Sequence, residues 1–281
     1  MPQMNRAQLV DAPAGLLPLP RPLMTGEVLD AAFRLFRAGV LRTLPYSGLA
    51  VLLLEMPTLY ATLFTRASLG TDFLVANYRP VSHALVFLLS VPLLGAIMLR
   101  LNSTANGRQP RFRTEIATAL RRWPAGIIAT VGAFFIPVSL AILGPAFTNG
   151  LSEEAIAFLS VPLFWPTALF VVTLPAFWCA DLGPFAAIAR SVKLSARRSW
   201  RMVGGILAAL LIVAVFYGLV AIVIAVMTPM FGRADLFLIA TITSLLQLVI
   251  GTFGMPFVLA VLIVAHQDLE LRYRERQAVR A

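Results

Sequence analysis

Six apolar stretches, near residues 44–65, 80–101, 123–148, 155–180, 203–230 and 236–265, leave this chain few folds to choose from. Each reaches the roughly 20 residues that a helix needs to cross a hydrocarbon core about 30 Å thick. In lipid the backbone must satisfy its own hydrogen bonds, and a stretch of this length does so as an α-helix. The expected fold is an all-α integral membrane protein with six transmembrane helices. Composition agrees: the 281 residues are 59% hydrophobic and only 13% charged, with a mean hydropathy of +0.85. A soluble domain is about a quarter charged.

The basic residues fix the expected orientation. Counting Arg100 with the gap that follows the second stretch, Lys and Arg number 5 before the first stretch, 6 after the second, 5 after the fourth and 4 after the sixth. The three alternate gaps hold Arg66 and Arg79, none, and Arg233, so the partition is 20 against 3. Basic flanks resist translocation, which puts the rich side and both termini in the cytoplasm. The net charge of +10 would suggest nucleic acid in a soluble protein. Here it lies in the cytoplasmic loops, so the expected partners are anionic lipid headgroups and not nucleic acid.

A short amphipathic segment precedes spans one, three and five, giving three hairpins, each with a cytoplasmic-side helix in front. In 26–43, Glu27, Asp30, Arg34 and Arg37 share one face, and Thr25 is placed to cap the helix. In 114–123, Arg121 and Arg122 oppose Ile116, Ala119 and Leu120. In 184–201, Arg190, Lys193, Arg197 and Arg201 form a stripe, Arg198 beside it, and Pro184 suits the first helical position. Such segments lie in the interface plane with cations towards the headgroups, which makes these Arg and Lys residues the candidate anionic-lipid contacts. Tyr46, Trp123 and Trp200 stand at the mouths of the odd-numbered spans, at intervals of 77 residues, where interfacial aromatic anchors form.

Three regions follow: a disordered, Pro-rich cytoplasmic tail over 1–24, a six-helix membrane domain over 25–270, and a basic cytoplasmic tail over 271–281. Residues 1–24 lack the apolar core of a signal peptide. Pro92, Pro162, Pro166, Pro175 and Pro256 interrupt the even-numbered spans, with Gly251 and Gly254 beside the last, so kinks are expected there. At 152–154, Ser-Glu-Glu reads as a capped helix start on the outer face.

Reactive groups are few. The only histidines, His83 and His266, fall at opposite ends of their spans, which excludes a shared metal site under this topology. No catalytic motif, phosphate-cradling glycine loop or cofactor signature is present in the sequence. Cys179, Asp181, His266 and Asp268 fall at cytoplasmic helix ends, where ordinary polar termini are the simpler reading. Glu55 is the one ionisable residue in mid-span, and a carboxylate at that depth marks either a functional group or a neutral interhelical hydrogen-bond donor.

Three stretches, 26–37 (GEVLDAAFRLFR), 187–205 (AIARSVKLSARRSWRMVGG) and 267–275 (QDLELRYRE), resemble the membrane domain of the glycerophosphodiester phosphodiesterase membrane-domain family and related multi-pass bacterial proteins. The resemblance implies a bacterial inner-membrane protein. Some members carry the phosphodiesterase as a separate barrel, and the residues after the sixth stretch are too few for a barrel of roughly 250. The family's catalytic residues have no counterpart, so no enzymatic activity is expected. Two functions stand: a membrane scaffold or lipid-interacting protein, or a transporter or channel component built on Glu55 and the broken even-numbered helices.

Overall fold

The computed structural model describes residues 17, 19, 21–64, 72–108, 111–134, 169–195, 199–231 and 236–279, with residues 57–64, 72–84, 199, 201–202, 227–231 and 236–241 described through their backbone alone. Among the described residues the regular structure is entirely helical: α1 (Thr25–Phe64), α2 (Asp72–Ala105), α3 (Phe112–Arg121), α4 (Trp123–Ala133), α5 (Thr173–Trp178), α6 (Pro184–Ser195), α7 (Ser199–Phe231) and α8 (Leu236–Ala278). Four segments are long and apolar enough to cross a membrane: Thr25–Met56, Leu85–Ala105, Val203–Val226 and Ile242–Ala278. The middle of the expected third and fourth spans, and the 152–154 helix start, lie outside the described residues.

The first amphipathic segment is not a separate helix. It runs straight into the first apolar stretch as one α-helix of 40 residues, through Pro45 and Pro57. Its start also differs from expectation. Thr25 is the first helical residue, and the Glu27 carboxylate reaches back to accept from the Met24 N–H at 2.6 Å, half of a capping box. The second and third amphipathic segments are distinct helices. α3 turns into α4 at Arg122, and α6 begins at Pro184.

α1 packs along α8 and α2, and α7 packs mainly on α8 and also touches α1. Phe36 meets Phe257 edge-on at 5.7 Å. Trp178, the largest fully buried side chain among the described residues, is 2% exposed and lies against the bare backbones of Gly95 and Gly126. α7 is packed differently. Leu211, Ile222 and Val226 are each more than 60% exposed, and apolar side chains cover its whole circumference. A helix apolar all round and uncovered by protein is suited to lipid.

Within the expected tail, Leu17, Leu19 and residues 21–24 are described, and several of them contact the helices. The Leu17 N–H donates to the Ala105 carbonyl at 3.0 Å, Leu17 and Leu23 are buried, and Arg21 pairs with Glu27. The basic C-terminal segment is likewise helical through Ala278, as the continuation of α8. Apolar anchors at Leu17 and Leu23, invisible to a reading based on proline content, hold the first of these; the i,i+4 pair Asp268–Arg272 supports the second.

Candidate functional site

Every ion pair among the described residues lies at one end of the bundle, where the start of α1, the ends of α2 and α8, and α3 and α6 gather. Leu23, just ahead of α1, is tied to α8 by two contacts that an ion pair within α8 braces. The Leu23 N–H donates to Asp268 at 2.7 Å, and Asp268 also takes Arg272 at 2.8 Å. Arg272 in turn donates to the Leu23 carbonyl at 2.5 Å.

A buried cluster joins α1, α2 and α3. Arg100 and Glu115, 7% and 6% exposed, approach at 2.7 Å, and the Tyr46 hydroxyl donates to the same carboxylate oxygen at 3.1 Å. Arg100 also donates to the Tyr46 oxygen at 3.1 Å. Glu115 Oε1 is left without a partner. Burial pushes the Glu115 carboxyl up from its ordinary value, and the Arg100 charge opposes that shift. Tyr46, expected as an interfacial anchor, is turned into the protein. At 2% exposure it is a buried hydrogen-bonding ring, stacked on Phe112 at 5.1 Å.

Arg122 holds the turn between α5 and α6. It pairs with Asp181 at 2.5 Å, donates to the Leu182 carbonyl at 2.9 Å, and lies 4.3 Å from the centre of the Phe177 ring. Asp181 carries the one positive φ of a described non-glycine residue, 56°, a conformation that Asp tolerates better than most. The turn reverses the chain so that α6 returns against α8.

Between α6 and α8 the reversal leaves a cavity of about 610 Å³. Its polar lining comes from Arg190 and Lys193 of α6 and from His266, Gln267, Glu270 and Arg274 of α8. Arg190 grips Glu270 through Nε at 2.7 Å and Nη2 at 2.5 Å, and this hydrogen bond raises the guanidinium's already high pKa further. Both cations of α6 also sit over Tyr273, Arg190 at 4.5 Å and Lys193 at 5.3 Å. His266 is 2% exposed, and neither of its ring nitrogens has a hydrogen-bond partner among the described residues.

The stripe of α6 thus turns inward at Arg190, where headgroup contact was expected, because α8 presents a complementary stripe, while Lys193 stays exposed beside Tyr273. His266, Glu270 and Arg274 recur every four residues on one face, the signal that a search of the spans alone passes over. Arg34 pairs with Asp30 along its own helix, Arg37 and Arg121 are exposed, and Arg122 points inward. Trp123 is half-buried and donates its indole N–H to the Leu88 carbonyl at 2.8 Å, whereas Trp200 is 72% exposed. Arg197 and Arg198, and the side chain of Arg201, fall outside the described residues, as does the side chain of His83.

Glu55 is half-buried on α1, near the Tyr217 phenol of α7, with no hydrogen bond or ion pair to a described residue. The half-buried Cys179 thiol points at the Met98 carbonyl at 3.9 Å. Asp181 and Asp268 are committed to Arg122 and Arg272, so the four polar residues grouped at these helix ends serve separate contacts. Among the described residues no three His, Cys, Asp or Glu side chains converge as metal ligands would.

No protein-family model, curated protein or solved structure matches the chain.

Proposed function

We propose that this chain is a multi-pass protein of a bacterial inner membrane, with six spans in three hairpins and both termini cytoplasmic. It acts without catalysis, as a lipid-interacting protein or scaffold whose charged end rests on the anionic leaflet. The observation that carries this reading is the distribution of unpaired cations. Arg37, Arg42, Arg108, Arg111, Arg113 and Arg121 are exposed, and no carboxylate among the described residues pairs with them. The first two stand on α1 and the other four at the end of α2 and along α3, while the opposite surface character, exposed apolar residues, covers α7. A cation near an anionic leaflet contributes on the order of 1 kcal/mol, so this group binds acidic lipid firmly at moderate salt. The resemblance to the phosphodiesterase membrane-domain family belongs to the same proposal. Two of its three stretches, 187–205 and 267–275, meet at Arg190 and Glu270.

The test is lipid retention. Arg111, Arg113 and Arg121 exchanged together for Gln should at least halve the phosphatidylglycerol that co-purifies, measured by mass spectrometry, with thermal stability unchanged. Equal retention in a folded variant rejects the role of this surface.

A second reading, a transporter or channel component, rests on the unpartnered Glu55 carboxylate beside Tyr217. It requires Glu55→Gln to abolish solute flux in vesicles while leaving the fold intact. Flux equal to that of the parent protein removes this reading.

A further inference from the structure

We infer that the cavity between α6 and α8 binds the phosphate of a phosphomonoester, an inference that rests on the membrane reading above and gives it a ligand chemistry. The volume, about 610 Å³, is that of a small-molecule site. Three cations, Arg190, Lys193 and Arg274, line it with the single carboxylate Glu270, so the lining carries a formal excess of positive charge. Glu270 occupies Nε and Nη2 of Arg190, and the same guanidinium lies over the Tyr273 ring at 4.5 Å. Phosphate groups are bound elsewhere by such mixtures of guanidinium and ammonium groups.

His266 narrows the chemistry. A neutral imidazole has one N–H donor and one acceptor nitrogen, and burying both unmatched is costly. In His266 both are buried and unmatched, in the wall of this cavity. The two nitrogens point apart across the ring, so one compact group meets only the one it faces, and a group that can both accept and donate suits either tautomer. A phosphomonoester, with a second pKa near 6, offers acceptor oxygens and, in its singly ionised form, a P–O–H donor. A carboxylate, sulfate or phosphodiester offers acceptors alone. Leu19, Leu182 and Leu271 supply an apolar wall against which the carbon stem of the ester can lie. The phosphate arrives either on a lipid headgroup or on a soluble ester.

Full-length protein in phosphatidylcholine nanodiscs distinguishes these sources. One arm adds phosphatidic acid at one lipid in ten, a second replaces it with the diester phosphatidylglycerol, and a third adds inorganic phosphate to plain phosphatidylcholine discs. Binding stabilises the folded state in proportion to occupancy, so the thermal midpoint reports it. The expected result is a rise with phosphatidic acid exceeding that with phosphatidylglycerol, and its loss in Lys193→Gln/Arg274→Gln and, separately, in His266→Leu. A rise in the inorganic phosphate arm, lost in the same variants, assigns the site to a soluble ester. The triple Arg111, Arg113 and Arg121 variant should keep the phosphatidic acid preference. No monoester-dependent rise in either arm, or a rise that survives both pocket variants, overturns the inference. If the rise disappears only in the triple variant, the pocket inference fails and the surface reading stands.

Discussion

The Trp178 indole lies 2.6 Å from the point where a β-carbon on Gly95 would stand, and 2.7 Å from the same point on Gly126. α2, α4 and α5 can therefore approach only because these two positions carry no side chain. Gly95→Ala forces a buried ring to move and should lower stability by about 1–3 kcal/mol, the usual cost of overpacking. Gly204→Ala, which meets nothing within 4 Å, is the control and should be neutral or stabilising. Thermal unfolding in detergent compares them, and equal midpoints would contradict the packing described.

The Arg100–Glu115 pair should show strong coupling. Arg100→Met alone strands a buried carboxylate, at a cost of about 3–5 kcal/mol. The double variant Arg100→Met/Glu115→Leu removes both charges and should recover most of that loss. A double-mutant cycle with Glu115→Leu measures it, and additive losses would mean that the two groups do not interact.

Cys179 should be a poor nucleophile. Its thiol is half-buried at the end of α5 and points at the Met98 carbonyl. Alkylation of the folded protein should run about tenfold slower or more than in denaturant. Equal rates in the two states would place the thiol in an open aqueous setting.

Orientation has a direct check. In a Cys179→Ala background, a membrane-impermeant maleimide should label Arg233→Cys in intact spheroplasts and Arg108→Cys only after lysis. The reverse pattern overturns the cytoplasmic placement of the charged end.

Local chemistry accounts for what the sequence made legible. Long apolar runs became helices, and Pro184, whose ring cannot sit deep in a helix, opens α6. Thr25 misled because the cap is made from the other side, by Glu27 on Met24. The site was harder to read, since it depends on pairs distant in sequence. Arg190 and Glu270 are 80 residues apart, Tyr46 and Glu115 are 69. Nothing near Tyr46 distinguishes a ring at a membrane surface from one inserted between Arg100 and Glu115. Likewise the basic stripe of α6 reads as a solvated or headgroup-facing surface until α8 supplies a carboxylate and an aromatic ring for it.

α8 carries both an apolar, span-length segment and one wall of the cavity in a single helix of 43 residues. Glu270 stands about 21 Å along the axis beyond Pro256, taking 1.5 Å per residue. A helix meets a thinner or thicker hydrocarbon layer by changing its tilt. If the outer part of α8 rocks by about 10° at Pro256, its far end swings by roughly 4 Å over that arm. That is comparable with the reach of the Arg190–Glu270 clasp. The gap between α6 and α8 then behaves as the jaw of a caliper whose handle is embedded in the bilayer, and membrane thickness becomes a variable that sets how wide the jaw stands.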